Sequence, residues 1–190
     1  MSLLFDKFTM GVLRALNVAP TQVHPNTWAS LLAFRLLCDA MRFRPTPSSF
    51  LCYYGSHPGR LVSWLSLAGR PGHVLFDPFA VSYKRFKERF VKVVIWLEAT
   101  TFFFDRAGRS RFPLNWTSKP KGFKFWPRPT GSEEEVEILS FFDALPRKLP
   151  CRSLIGAYTE TTRWATIRGT GSSFFYAGRY FSFHFLTCVF

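Results

Sequence analysis

The chain has 190 residues, with 25 Lys or Arg against 12 Asp or Glu, so its net charge is +13 and its pI is near 10.1. Hydrophobic residues make up 47% of the chain and charged residues 19%, which supplies a core and excludes global disorder. The length suits one domain with tails, and the cationic excess points to a polyanion or an acidic surface as partner.

Phe5, Phe8, Val12 and Leu16 stand at helical spacing and predict an amphipathic helix over residues 2–16, with Ser2 available as its N-cap. Asp6, Lys7 and Arg14 interrupt these apolar positions, so the first 20 residues do not read as a signal peptide. Pro20 and Pro25 break the helix, and Asn26 can cap a second one from Thr27 to Met41. Its apolar residues (Trp28, Leu31, Leu32, Phe34, Leu36, Leu37, Cys38 and Met41) cover more than a single stripe, as in a buried central helix. Pro45 to Ser49 reads as a turn, and Phe50 to Tyr54 is too short for periodicity to decide between helix and strand. Leu61 to Leu67 and His73 to Phe76, bounded by Gly and Pro, read as strands. Residues 82–90 read as a helix or turn running into a β-branched strand at Val91 to Leu97. Ser132 followed by Glu133, Glu134 and Glu135 reads as a helix start, with carboxylates where the macrodipole favours them, and Pro146 ends that helix near Leu145.

These elements predict an α+β fold: a small mixed domain with a central buried helix, short strands and a C-terminal helix, followed by an irregular aromatic tail. Residues 1–150 form the expected domain, and 151–190 an atypical tail. Residues 170–190 contain no acidic residue and eight aromatics, a composition that fits a terminal strand, an aromatic tail or a translated non-coding or truncated stretch. The most apolar stretch, Ser173 to Phe190, contains Arg179 and His184 within 18 residues, whereas a spanning helix needs about 20 predominantly apolar ones, so no membrane partner is expected. Cys38, Cys52, Cys151 and Cys188 are too few and too scattered for a disulfide framework and read as reduced thiols.

Two basic runs carry the functional signal. In Ser82 to Val94, Tyr83, Phe86, Phe90, Val93 and Val94 fall in one helical sector, opposite Lys84, Arg85, Lys87, Glu88, Arg89 and Lys92. Five cations on one face can neutralise phosphates, although such a face also arises simply from solvation. The second run holds Arg106, Arg109, Arg111, Lys119, Lys121, Lys124 and Arg128, with no acidic residue from 106 to 132. It is interleaved with Phe112, Trp116, Phe123, Phe125 and Trp126, and cations alternating with aromatic faces suit single-stranded nucleic acid.

Reaction chemistry is harder to find. His24, His57, His73 and His184 are isolated, and none pairs with a cysteine at finger or knuckle spacing. Tyr53, Tyr54 and His57 could form an acid–base cluster but more often fill core and loop positions. Gly69-Arg70-Pro71-Gly72 lacks the Gly-Lys-Ser/Thr ending of a phosphate-cradling loop. Asp39, Asp77, Asp105, Glu133 and Asp143 are candidates for two-metal phosphoryl transfer, yet each has a blander role open to it: Asp77-Pro78 reads as a turn, Asp105 opens a loop toward Gly108, and Glu133 sits at a helix start. No catalytic residue, metal site or cofactor is expected.

The stretch Leu16-Asn17-Val18-Ala19-Pro20-Thr21-Gln22-Val23-His24-Pro25-Asn26-Thr27-Trp28, followed by Phe34, Leu37 and Cys38, resembles the opening of the plant gypsy-type transposon domain family. Ser82 to Val93 resembles that family's later block, a Lys-rich aromatic turn running into apolar residues, and Phe112-Pro113-Leu114-Asn115-Trp116-Thr117 its third landmark, so the resemblance spans roughly residues 5–150. It implies a retroelement-derived plant protein and carries no catalytic residue set over to this chain. The expected function is a non-catalytic, gag-like protein, nuclear or cytoplasmic, that contacts DNA or RNA and is able to self-associate. The alternatives are a protein-interaction module, a transposition enzyme and a degenerate remnant.

Overall fold

The computed structural model describes residues 6–58, 64–81 and 103–157. The chain opens with helix α1 (Lys7–Leu16), which buries Phe8, Val12, Leu13 and Leu16. Its cap is Asp6, whose carboxylate accepts from the Thr9 N–H at 2.7 Å, so the helix starts later than the sequence pattern predicts; Ser2 lies outside the described residues. Asn17 ends it in the left-handed region at φ 52°, which an Asn side chain tolerates better than most.

A single 3₁₀ turn, Pro20–Gln22, leads into α2 (Pro25–Ala40). The expected central helix is present, with Trp28, Ala29, Leu31, Ala33, Phe34, Leu36 and Cys38 buried. Its N-cap is His24 rather than Asn26: His24 Nδ1 accepts from the Asn26 N–H at 3.2 Å, and Pro25 takes the first helical position, where its missing donor costs nothing. The Asn26 side chain bonds both backbone groups of Ala80 instead, at 2.9 and 3.1 Å.

The expected turn at 45–49 forms the start of a short helix, α3 (Pro47–Leu51). Thr46 and Ser49 make a reciprocal capping box, a signal that the prolines on either side of Thr46 obscure in the sequence. Strand β1 (Tyr54–Pro58) pairs antiparallel with β2 (Leu65–Gly69), in a register set by Tyr54 opposite Gly69 and Pro58 opposite Leu65. The second strand thus lies further along than predicted, and residues 61–63 fall outside the described residues. Residues 73–76 are not a strand. Their carbonyls at Val74 and Leu75 accept from Lys148 and Leu149, leaving one isolated parallel bridge between Phe76 and Leu149.

Helix α4 (Glu133–Ala144) begins as the sequence predicts, with the Ser132 hydroxyl accepting from the Glu135 N–H and three glutamates in the first turn. It buries Ile138, Leu139 and Phe142. Phe142 stacks on Phe34 of α2 with ring centroids 4.3 Å apart, and Phe8, Phe34 and Phe50 meet one another at 5.3–5.9 Å, so one aromatic core joins α1, α2, α3 and α4. Packing continues past residue 150: Cys151 is buried, and Leu154 and Ile155 lie against the core. The fold is a small mixed α+β one. The tail beyond residue 157 lies outside the described residues.

Candidate nucleic-acid interface

The first basic run, Lys84, Arg85, Lys87, Arg89 and Lys92, lies outside the described residues. The second run falls within them and follows an irregular path over the end of α1 and along the edge of β1. It begins in a tight turn, where the Asp105 carboxylate accepts from the backbone of Ala107 and Arg109 and holds the Arg109 guanidinium at 2.9 Å. Hydrogen bonds from Arg109 and Ala107, together with the guanidinium charge, hold the Asp105 carboxyl below the usual carboxylate range. Arg111 Nε donates to the Phe104 carbonyl, and the Arg111 carbonyl in turn accepts from Arg14 Nε. Arg109 and Arg111 are thus both engaged in closing the turn.

Further along, the polypeptide is fastened mainly through its backbone. Asn17 Nδ2 donates to the Lys119 carbonyl at 3.0 Å, the Thr117 hydroxyl donates to the Asn17 carbonyl, and the buried Gln22 side chain bonds both backbone groups of Thr117. The Lys121 N–H donates to the Leu16 carbonyl, one of those left free at the end of α1. Ser56 of β1 completes the attachment: its N–H donates to the Phe123 carbonyl at 2.9 Å, its Oγ accepts from the Phe123 N–H at 2.7 Å, and its hydroxyl donates to the Lys121 carbonyl. Gly55 permits this approach, because a Cβ there would fall on the Lys124 carbonyl oxygen.

Backbone anchoring leaves the side chains of Lys119, Lys121 and Lys124 exposed. Among the described residues, no carboxylate lies within ion-pair range of any of the three. Lys121 Nζ sits 4.8 Å from the Trp126 ring centroid and Lys124 Nζ 5.7 Å from that of Phe125. Arg70, which the sequence pattern did not single out, places its guanidinium 4.7 Å from the same Phe125 ring. It stands just after β2, in the turn read from sequence only as punctuation. No local signal says that this turn meets residue 125. Arg128, by contrast, is neutralised by Asp143 at 2.5 Å.

The aromatic residues divide as well. Phe112 is 2% exposed and belongs to the core, whereas Phe123 and Trp126 meet edge to face at 5.1 Å and pack partly against it. Trp116 (43% exposed) and Phe125 (39%) remain on the surface.

No family model, curated protein or solved structure matches the chain.

The acidic candidates are dispersed. Asp39 pairs with Arg35, Asp105 closes its turn, and Asp143 accepts from Tyr53 and Arg128, while Glu133 opens α4 and the Asp77 backbone bonds Leu149. Tyr53 faces α4, Tyr54 is buried beside Phe50 at 4.7 Å, and His57 is exposed, so the structure does not join them in an acid–base cluster. Among the described residues, no three His, Cys, Asp or Glu side chains converge as they would around a metal ion. Cys38, Cys52 and Cys151 are free and buried, and burial pushes the Cys38 and Cys52 thiols up to about 12 and Cys151 to about 11. No helix among the described residues is long and apolar enough to cross a membrane.

Proposed function

We propose that the protein is a non-catalytic, gag-like, transposable-element-derived nucleic-acid-binding protein that contacts the phosphate backbone through Lys119, Lys121 and Lys124, supplemented by the run from Lys84 to Lys92. The nuclear or cytoplasmic location expected from the sequence goes with this reading. The observation that carries it is the state of the three lysines: they are exposed, have no carboxylate partner among the described residues, and extend from a backbone fixed to the core. A cation already paired to a carboxylate gains little from a phosphate, but an unpaired one releases a condensed counterion on binding. Contacts of this kind position a backbone and read no sequence.

The test is fluorescence anisotropy of labelled DNA and RNA at several salt concentrations. Replacing all three lysines with Ala is expected to reduce the slope of log K against log salt by about 2–3, at roughly 0.7–0.9 per phosphate contact. An unchanged slope in a folded variant refutes the assignment.

A protein-interaction role is favoured by a separate observation. Trp116, exposed at the surface, lies against the buried Trp64 with ring centroids 5.9 Å apart, and a surface tryptophan is of the residue type enriched at protein interfaces. Assembly that proceeds equally well without nucleic acid, and is lost in Trp116→Ala, would support that reading.

A further inference from the structure

We infer that Phe125, flanked by Arg70 and Lys124, is a base-stacking site that makes the interface prefer single-stranded nucleic acid over duplex, an inference that rests on the nucleic-acid reading above. Most aromatic residues of the segment have a structural occupation. Phe112 fills the core, Phe123 and Trp126 pack on each other, and Trp116 is tied down by Trp64 and by its indole N–H donating to the Thr21 hydroxyl at 2.7 Å. Phe125 has none of these roles. Among the described residues its ring meets no other aromatic ring, and its charged neighbours are the guanidinium of Arg70 at 4.7 Å and the ammonium of Lys124 at 5.7 Å.

Both cations lie over the Phe125 ring in cation–π contact, so an incoming base takes the place of one of them on the ring while the displaced cation pairs with the base's phosphate. The Arg70 guanidinium is itself planar and stacks on bases as well as pairing with phosphate. Its backbone is held on both sides, with its N–H donating to the Tyr53 carbonyl and its own carbonyl accepting from the His73 N–H, each at 2.8 Å. The site therefore brings together elements distant in sequence and sets one of its cations in advance. In a duplex each base face is covered by its neighbours, leaving Phe125 nothing to stack on, whereas a single strand offers unstacked faces.

Phe125→Leu keeps apolar bulk but removes the aromatic face, and at a 39% exposed position it opens no core cavity. The full chain is titrated with labelled oligo(dT) and with a duplex of equal phosphate number. The expected result is a loss of about tenfold or more in oligo(dT) affinity, the worth of one stacked base, with duplex affinity unchanged. Lys119→Ala should weaken both ligands alike. Equal weakening of both by Phe125→Leu, or of neither, overturns the stacking site. A strand carrying 2-aminopurine gives a second readout: quenching on binding to the wild type but not to Phe125→Leu supports stacking, and equal quenching overturns it. Salt-sensitive wild-type binding that Phe125→Leu leaves untouched removes this inference alone. Absence of wild-type binding to either polymer at low salt removes the nucleic-acid reading with it.

Discussion

Gly55→Ala tests whether the basic segment is held by the edge of β1. The added Cβ would fall on the carbonyl oxygen of Lys124, with the Phe123 carbonyl oxygen 3.6 Å away. Both are backbone atoms, so no side-chain rotation relieves the contact and the segment must move. Three hydrogen bonds depend on its position: Ser56 N–H to Phe123, Phe123 N–H to Ser56 Oγ, and Ser56 Oγ to the Lys121 carbonyl. At about 1 kcal/mol net for each, their loss costs about 3 kcal/mol. With a urea m-value of about 2 kcal/mol per molar, the unfolding midpoint should fall by about 1.5 M. The same variant should bind nucleic acid more weakly, although every lysine is retained, because an unfastened strip must be ordered on binding. Urea denaturation followed by tryptophan fluorescence, paired with amide chemical shifts for residues 121–124, reads both effects. A wild-type midpoint with unshifted amides at those positions would refute the anchoring.

Phe142→Ala removes the ring stacked on Phe34 and should cost about 3–5 kcal/mol, most of the stability of a marginal domain, read as a lowered urea midpoint followed by circular dichroism. Stability should also fall on acidification through His24. Burial lowers its pKa from 6.5, so above that value it is neutral whether folded or unfolded, and below it the unfolded chain takes up the proton first. The folded state then loses ground as pH falls from about 6.5 through the lowered value, where protonation would also remove the Nδ1 acceptor that caps α2. His24→Asn, which keeps a capping oxygen, should flatten this part of a plot of urea midpoint against pH, and an unaltered slope would exclude His24 as its source.

The parts legible in the sequence were those governed by local rules. Ser132 and the three glutamates after it marked α4, and the broad apolar run from Trp28 to Cys38 marked α2, because a cap and a hydrophobic pattern are written in neighbouring residues. Where two caps competed, sequence alone chose wrongly: Asn26 is the commoner N-cap, yet its side chain is occupied by Ala80, 54 residues away, and His24 serves instead. The strand expected at 73–76 failed for a similar reason. Its partner is the chain at 148–149 rather than a sheet neighbour, and a single bridge makes no strand. In the candidate site, the alternation of cations and aromatics was visible from the start, but not its division into core rings, packed rings and the exposed Phe125. Arg70 was hidden because the turn that carries it meets residue 125 only in the folded chain.

The distribution of carboxylates explains why the lysines of the strip stay unpaired in a protein that does contain acids. Asp6 caps α1 and pairs with Arg35, Asp39 pairs with the same arginine, Asp105 closes its turn around Arg109, and Asp143 accepts from Tyr53 and Arg128 with Arg147 4.0 Å away. Glu135 accepts from the Thr46 hydroxyl and so joins α4 to the cap of α3. The described aspartate–cation pairs thus go to arginines, whose planar fork holds a carboxylate in a fixed geometry, and lysines take no part in them. Lys119, Lys121 and Lys124 remain as hydrated point charges in a stretch without acids from 106 to 132. The described aspartates that hold the fold together are therefore committed to arginines and leave these three lysines for a phosphate chain.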